Sequence, residues 1–143
     1  MSVSAVLAPV FVQVLLTFVV WLRMGQARTA SLRQTRTNPN KKEVALGTYN
    51  WSEQAAKAGN NFSNQFELPV LFYAVVAFAL IVRHNDIVFV ALAWAFVVAR
   101  IVHAAIHLGP NVVRQRFAVY VVGAICVFAM WALLAVRVLT AGT

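Results

Sequence analysis

Three small polar sets interrupt an otherwise apolar chain: Asn60, Asn64 and Glu67; Arg100, His103 and His107; and Arg116 with Tyr120. Arginine brings a charge it does not give up, glutamate an acceptor pair, histidine a donor and an acceptor, and tyrosine one hydroxyl. Such types bind anions. At 100° per residue, Arg100, His103 and His107 share an arc of about 60°, as do Asn60, Asn64 and Glu67, so each set forms one helical stripe. Arg116 and Tyr120 stand one turn apart. His103 and His107 have the spacing of a metal or haem pair, but no third ligand with spacing of its own accompanies them, and no metal is expected.

The surroundings of these residues define the solvent. The 143 residues are 62% hydrophobic and 11% charged, which suits a bilayer rather than a water-exposed domain. Four apolar segments, at about residues 2–22, 62–82, 87–108 and 117–136, are each long enough to cross about 30 Å of hydrocarbon. The reading is one all-α membrane domain over residues 1–143, a four-helix bundle, with a basic loop over 23–57. Ser52 is placed to cap a helix that starts in water and enters the bilayer near Phe62. Pro69 removes the amide that would bond the Gln65 carbonyl, so a kink is expected there. The single Cys126 excludes an intrachain disulfide and a cysteine metal cluster.

The net charge of +8 would suggest nucleic acid in a soluble protein, but here the basic residues lie between apolar spans, so no nucleic-acid partner is expected. Nine lysines and arginines fall in the two connections after the first and third spans. This asymmetry puts those connections in the cytoplasm and both termini outside, with membrane lipid as the surrounding partner.

Arg100 lies inside the third span, where a charge is costly unless paired. Glu67 is the only acid within a span, and antiparallel packing brings it to similar depth, so a Glu67–Arg100 ion pair is expected. Such a pair either locks two helices in register or touches a ligand directly. The two stripes describe a polar cavity at the cytoplasmic end, with Arg116 and Tyr120 at its rim. Interhelical hydrogen bonds without a ligand would use the same pattern.

Asn64-Gln65-Phe66-Glu67, Arg100-Ile101-Val102-His103, Leu108-Gly109 and Arg116 with Tyr120 resemble, in order and spacing, the pattern of the MAPEG superfamily, the membrane-associated proteins in eicosanoid and glutathione metabolism. The resemblance implies a divergent, bacterial-type member in an inner membrane, assembled as a homotrimer. It implies glutathione as cofactor between neighbouring subunits, and a lipophilic small-molecule substrate arriving from the bilayer. By the same resemblance Arg116 and Tyr120 are the catalytic pair at the thiolate, while Asn60, Asn64, Glu67, Arg100, His103 and His107 bind the cofactor. Asn60 and Ser63 occupy positions where the family's Arg-x-x-Arg-Asn-x-x-Glu motif has arginines, and His107 stands where tyrosine is common. Arg28, Arg33 and Arg36 are the candidates to replace the missing cations at the cofactor's carboxylates.

Two activities follow from this pattern: a glutathione-dependent transferase or peroxidase acting on lipophilic electrophiles, or a non-catalytic lipid-binding or scaffold protein of the same fold. A transporter or channel fits less well, because the polar residues gather at one side of the bilayer.

Overall fold

The computed structural model describes residues 1–83 and 86–140. Its helices are α1 (Val3–Gln34), α2 (Lys42–Ala45), α3 (Glu53–Ser63), α4 (Leu68–Ile81), α5 (Ile87–Leu108) and α6 (Val113–Thr140), with a 3₁₀ turn over Asn64–Phe66 between α3 and α4. Four helical stretches are long and apolar enough to cross a membrane: Val3–Gln34, Glu53–Ile81, Ile87–Leu108 and Val113–Thr140. No strand occurs among the described residues. The chain is a four-helix membrane bundle.

Side-chain partitioning matches lipid as solvent. The interior is built from Phe72, Val75, Val76 and Ala79 of α4, Phe89, Ala93, Phe96 and Val97 of α5, and Val127 and Met130 of α6. Phe72 stacks on Phe96 with ring centroids 4.6 Å apart. Large apolar side chains also cover the outside, including Phe11, Leu15, Phe18 and Leu22, which recur along one face of α1. In water that surface would be an aggregation hazard; in hydrocarbon it is the stable arrangement.

The first helix does not end where its apolar run ends. It continues through Gln34, so Arg23, Arg28 and Arg33 stand on helix, and the expected basic loop is confined to the segments around α2. The residues beyond Leu22 include Met, Ala, Gln and Arg, which are good helix formers, so leaving the hydrocarbon does not require leaving the helix. The segment after α1 folds back on it: the Arg28 guanidinium lies 5.1 Å from the Trp51 ring centroid, and the Ser52 amide donates to Ser31 Oγ at 3.1 Å. Ser52 in turn caps α3, accepting from the Ala55 amide.

The second span is broken rather than kinked. Glu67 has φ −96° and ψ −103°, and Pro69 falls in the first turn of α4, where its missing amide has no partner to lose. The hydrogen-bonding ladder of the span is therefore interrupted between Asn64 and Leu68, inside the bundle. Backbone groups freed at that depth need partners from neighbouring helices. His84 and Asn85, in the connection between the second and third spans, lie outside the described residues.

Candidate functional site

The break in the second span organises the polar groups around it. Arg100, 1% exposed, reaches from α5 and donates from Nη2 to the Asn64 carbonyl at 2.7 Å. A cation on the carbonyl end of a helix is favoured by the helix dipole, and the bond satisfies an acceptor the break has freed. The expected Glu67–Arg100 ion pair is not formed. The salt bridges among the described residues are Lys41–Glu43 and Lys57–Glu53, while Glu67 is exposed and accepts a long 3.5 Å hydrogen bond from the Tyr120 hydroxyl. The wheel that paired these residues assumed one continuous helix; the unusual backbone at Glu67 takes it off the Asn64 face. Arg100 Nε and Nη1 are buried without any hydrogen-bond partner.

Asn64 stands between the two histidines. Its Nδ2 lies 3.4 Å from His103 Nε2 and 3.4 Å from His107 Nδ1. His103 Nδ1 is 3.2 Å from the Arg116 carbonyl, which can only accept, so Nδ1 carries the proton and Nε2 is a lone pair. The Asn64 amide then donates one N–H to each ring, which assigns the proton of neutral His107 to Nε2. Both lone pairs facing Asn64 are taken, leaving His107 Nε2–H as a donor. The rings meet edge to face at 5.8 Å, and no group of three His, Cys, Asp or Glu suited to a metal occurs among the described residues.

Arg116, half-buried at the start of α6, donates from Nη1 to Asn111 Oδ1 at 2.7 Å. Its carbonyl is held by His103 and its guanidinium by Asn111, so both ends of the residue are fixed. Asn64, His103, Arg116 and Tyr120 line a cleft of about 210 Å³, closed at its apolar edge by Val113 and Phe117. Hydrogen bonds thus join the sequence-predicted residues Asn64, Arg100, His103, His107 and Arg116 around the break, while Glu67 and Tyr120 bond each other and meet the network through the Tyr120 ring, 5.8 Å from that of His103. Asn60 is exposed. Arg33 lines a separate groove along α1, and neither it nor exposed Arg36 lines this cleft.

A polar ladder that sequence reasoning missed lies behind the site. Gln13 Nε2 of α1 donates to Gln65 Oε1 at 3.1 Å, Gln65 Nε2 reaches the Asn61 carbonyl at 3.3 Å, and Asn61 Nδ2 donates to the Ala104 carbonyl of α5 at 3.3 Å. These amides tie α1, α3 and α5 at the level of the break. Their signal was available: a lone Gln inside an apolar span needs a partner.

The MAPEG family model matches residues 6–136 of the chain. The chain belongs to the MAPEG family. Membership covers all four spans and both stripes, and makes this an integral membrane protein of the glutathione and eicosanoid superfamily. No curated protein and no solved structure matches this MAPEG chain.

Proposed function

We propose that this MAPEG protein is a membrane-embedded glutathione-dependent transferase or peroxidase acting on lipophilic electrophiles. The observation that carries this reading is the fully buried Arg100, with two unpartnered guanidinium nitrogens, on the network that builds a cleft lined by Arg116 and Tyr120. A buried cation lacking a counter-charge is costly, and an anionic ligand offsets that cost. These groups fit a tripeptide thiol with two carboxylates. Glutathione, when bound, supplies the nucleophilic sulfur.

The protein's part is positioning and charge. Arg116 brings a guanidinium charge, and Asn111 engages one of its five donors while leaving others for an anion. Tyr120 bonds Glu67 only at the limit of hydrogen-bond length, so its hydroxyl is readily redirected into the cleft. His107 presents its Nε2–H where relatives commonly carry a tyrosine hydroxyl, which preserves a donor at that position. Asn64 holds both imidazoles neutral and oriented.

A cleft of about 210 Å³ is smaller than the roughly 300 Å³ at which ligand sites begin. Its small size supports a homotrimer in which a second copy completes it, with Arg33 at the exposed end of α1 and Arg36 just beyond it serving the cofactor of a neighbour. The asymmetry of basic residues along the sequence supports a cytoplasmic site with both termini outside; the bacterial inner membrane is what the family resemblance implies.

A non-catalytic lipid-binding or scaffold role is the second reading, favoured by Asn60 and Ser63 in place of cations. Calorimetry with glutathione, together with turnover of an aryl halide by protein purified in detergent, separates the two. Binding with turnover is expected; absence of both would leave the scaffold reading.

A further inference from the structure

We propose that a second cleft, between α1 and α3, holds the phosphate of an anionic phospholipid. This cleft, of about 340 Å³, has Arg23, Gln26, Gln54 and Lys57 around it and apolar Ala58 and Leu108 among its walls. It shares no lining residue with the Asn64 cleft.

Its depth sets the ligand class. Arg23 directly follows the apolar run ending at Trp21 and Leu22, and Leu108 is the last residue of α5 before the turn at Gly109 and Pro110. The cleft therefore lies where hydrocarbon gives way to headgroups, the level at which interfacial aromatic and basic residues gather. A soluble anion would need only the cations. A lipid phosphate with its glycerol and first methylenes uses both the polar rim and the apolar wall.

The donors are available. Arg23 forms no hydrogen bond or ion pair among the described residues. Lys57 is three-quarters buried and bonds Glu53 at 2.6 Å, which engages one of its three ammonium donors; Glu53 itself points into water with 81% of its side chain exposed. Arg23 on α1 and Lys57 on α3 belong to two packed helices, so their separation is set by the fold rather than by a loop. Arg28, Arg33, Arg36, Lys41, Lys42 and Arg114, also at this end, line no part of this cleft, so they add to the general surface potential without enclosing its ligand.

The test is native mass spectrometry of the full chain from neutral detergent, with phosphatidylglycerol and phosphatidylcholine in equal amounts. The parent is expected to retain phosphatidylglycerol preferentially, and Arg23→Gln/Lys57→Gln to lose at least about tenfold in affinity, the effect of one or more charge-assisted bonds. Arg36→Gln/Lys41→Gln removes the same charge from the same end and is expected to retain the lipid. Arg23→Lys/Lys57→Arg, which keeps both charges, guards against a folding defect and is expected to bind. Equal retention of the two lipids by the parent, or equal losses in the two glutamine variants, would overturn the site. So would inorganic phosphate that alone raises the unfolding temperature as much as phosphatidylglycerol does.

Discussion

Arg116 reaches back across the turn between α5 and α6 to donate to Asn111 Oδ1 at 2.7 Å, and Asn111 holds the left-handed backbone, φ 51°, that this turn requires. One asparagine therefore shapes the chain reversal and anchors the guanidinium that lines the cleft. Asparagine tolerates this conformation, whereas alanine pays about 1–2 kcal/mol for it. Asn111→Ala is expected to lose that amount plus the charge-assisted bond, about 1.5–3 kcal/mol, and Asn111→Gly to lose the bond alone. Thermal unfolding in detergent checks this. If the alanine and glycine variants melt together, backbone strain plays no part at this position.

Arg100 is expected to be a functional cation rather than a stabilising one. Removing it leaves the Asn64 carbonyl without its donor, at about 1–3 kcal/mol, but also relieves a buried charge that costs several kcal/mol. Arg100→Met should thus melt at or above the parent temperature while losing glutathione affinity at least tenfold, the scale of one charge-assisted bond. Because Arg100 and Glu67 form no ion pair, the stability effects of Arg100→Met and Glu67→Gln should add to within about 0.5 kcal/mol. A strongly coupled cycle would restore the pair that the geometry rejects.

The histidine tautomers are fixed by their neighbours and can be read directly. Nitrogen-15 NMR of the imidazoles should show His103 protonated on Nδ1 and His107 on Nε2. Asn64→Ala should release His107, which then exchanges between forms, while His103 stays pinned by the Arg116 carbonyl. Finding His103 protonated only on Nε2 would contradict the assignment.

The apolar spans were legible because hydrocarbon imposes length and composition on whatever crosses it. Ile87–Leu108 is the clearest case: Asp86 caps its start by accepting from the Phe89 amide, and Gly109-Pro110 closes it. The first helix was read short because polarity marks the membrane edge, and Arg23 to Gln34 shows that edge and helix end to be different boundaries. The stripe on α5 was legible because that helix is regular. The stripe on the second span was only half so: Asn64 meets the histidines, but the backbone reverses its habit at Glu67, and no wheel includes a break. Gln13 stands out as a lone amide in an apolar span, but with 52 residues between it and Gln65 nothing in the sequence names its partner.

The proposed division of labour among the arginines gives the sharpest functional test. Arg116 lines the cleft and is held at both ends, so its charge is aimed rather than merely present. A guanidinium charge favours the thiolate over the thiol of a bound cofactor, and that preference grows as sulfur becomes the attacking atom. Arg33 and Arg36 are exposed on or just beyond the end of α1; on the proposal they serve the carboxylates of a neighbour's ligand, which bind equally in ground and transition states. Arg116→Leu is therefore expected to reduce kcat by about a hundredfold or more, in the range for loss of one preorganised electrostatic group, and to remove the ultraviolet thiolate band of the complex. Arg33→Leu and Arg36→Leu should instead raise the glutathione KM with kcat little changed, the signature of lost uniform binding. Steady-state kinetics at several glutathione concentrations, with thiolate absorbance measured on the same samples, distinguishes the roles. An Arg116→Leu variant that turned over at the parent rate with its thiolate band intact would remove Arg116 from the chemistry and transfer attention to His107, whose Nε2–H is a further fixed donor of the network.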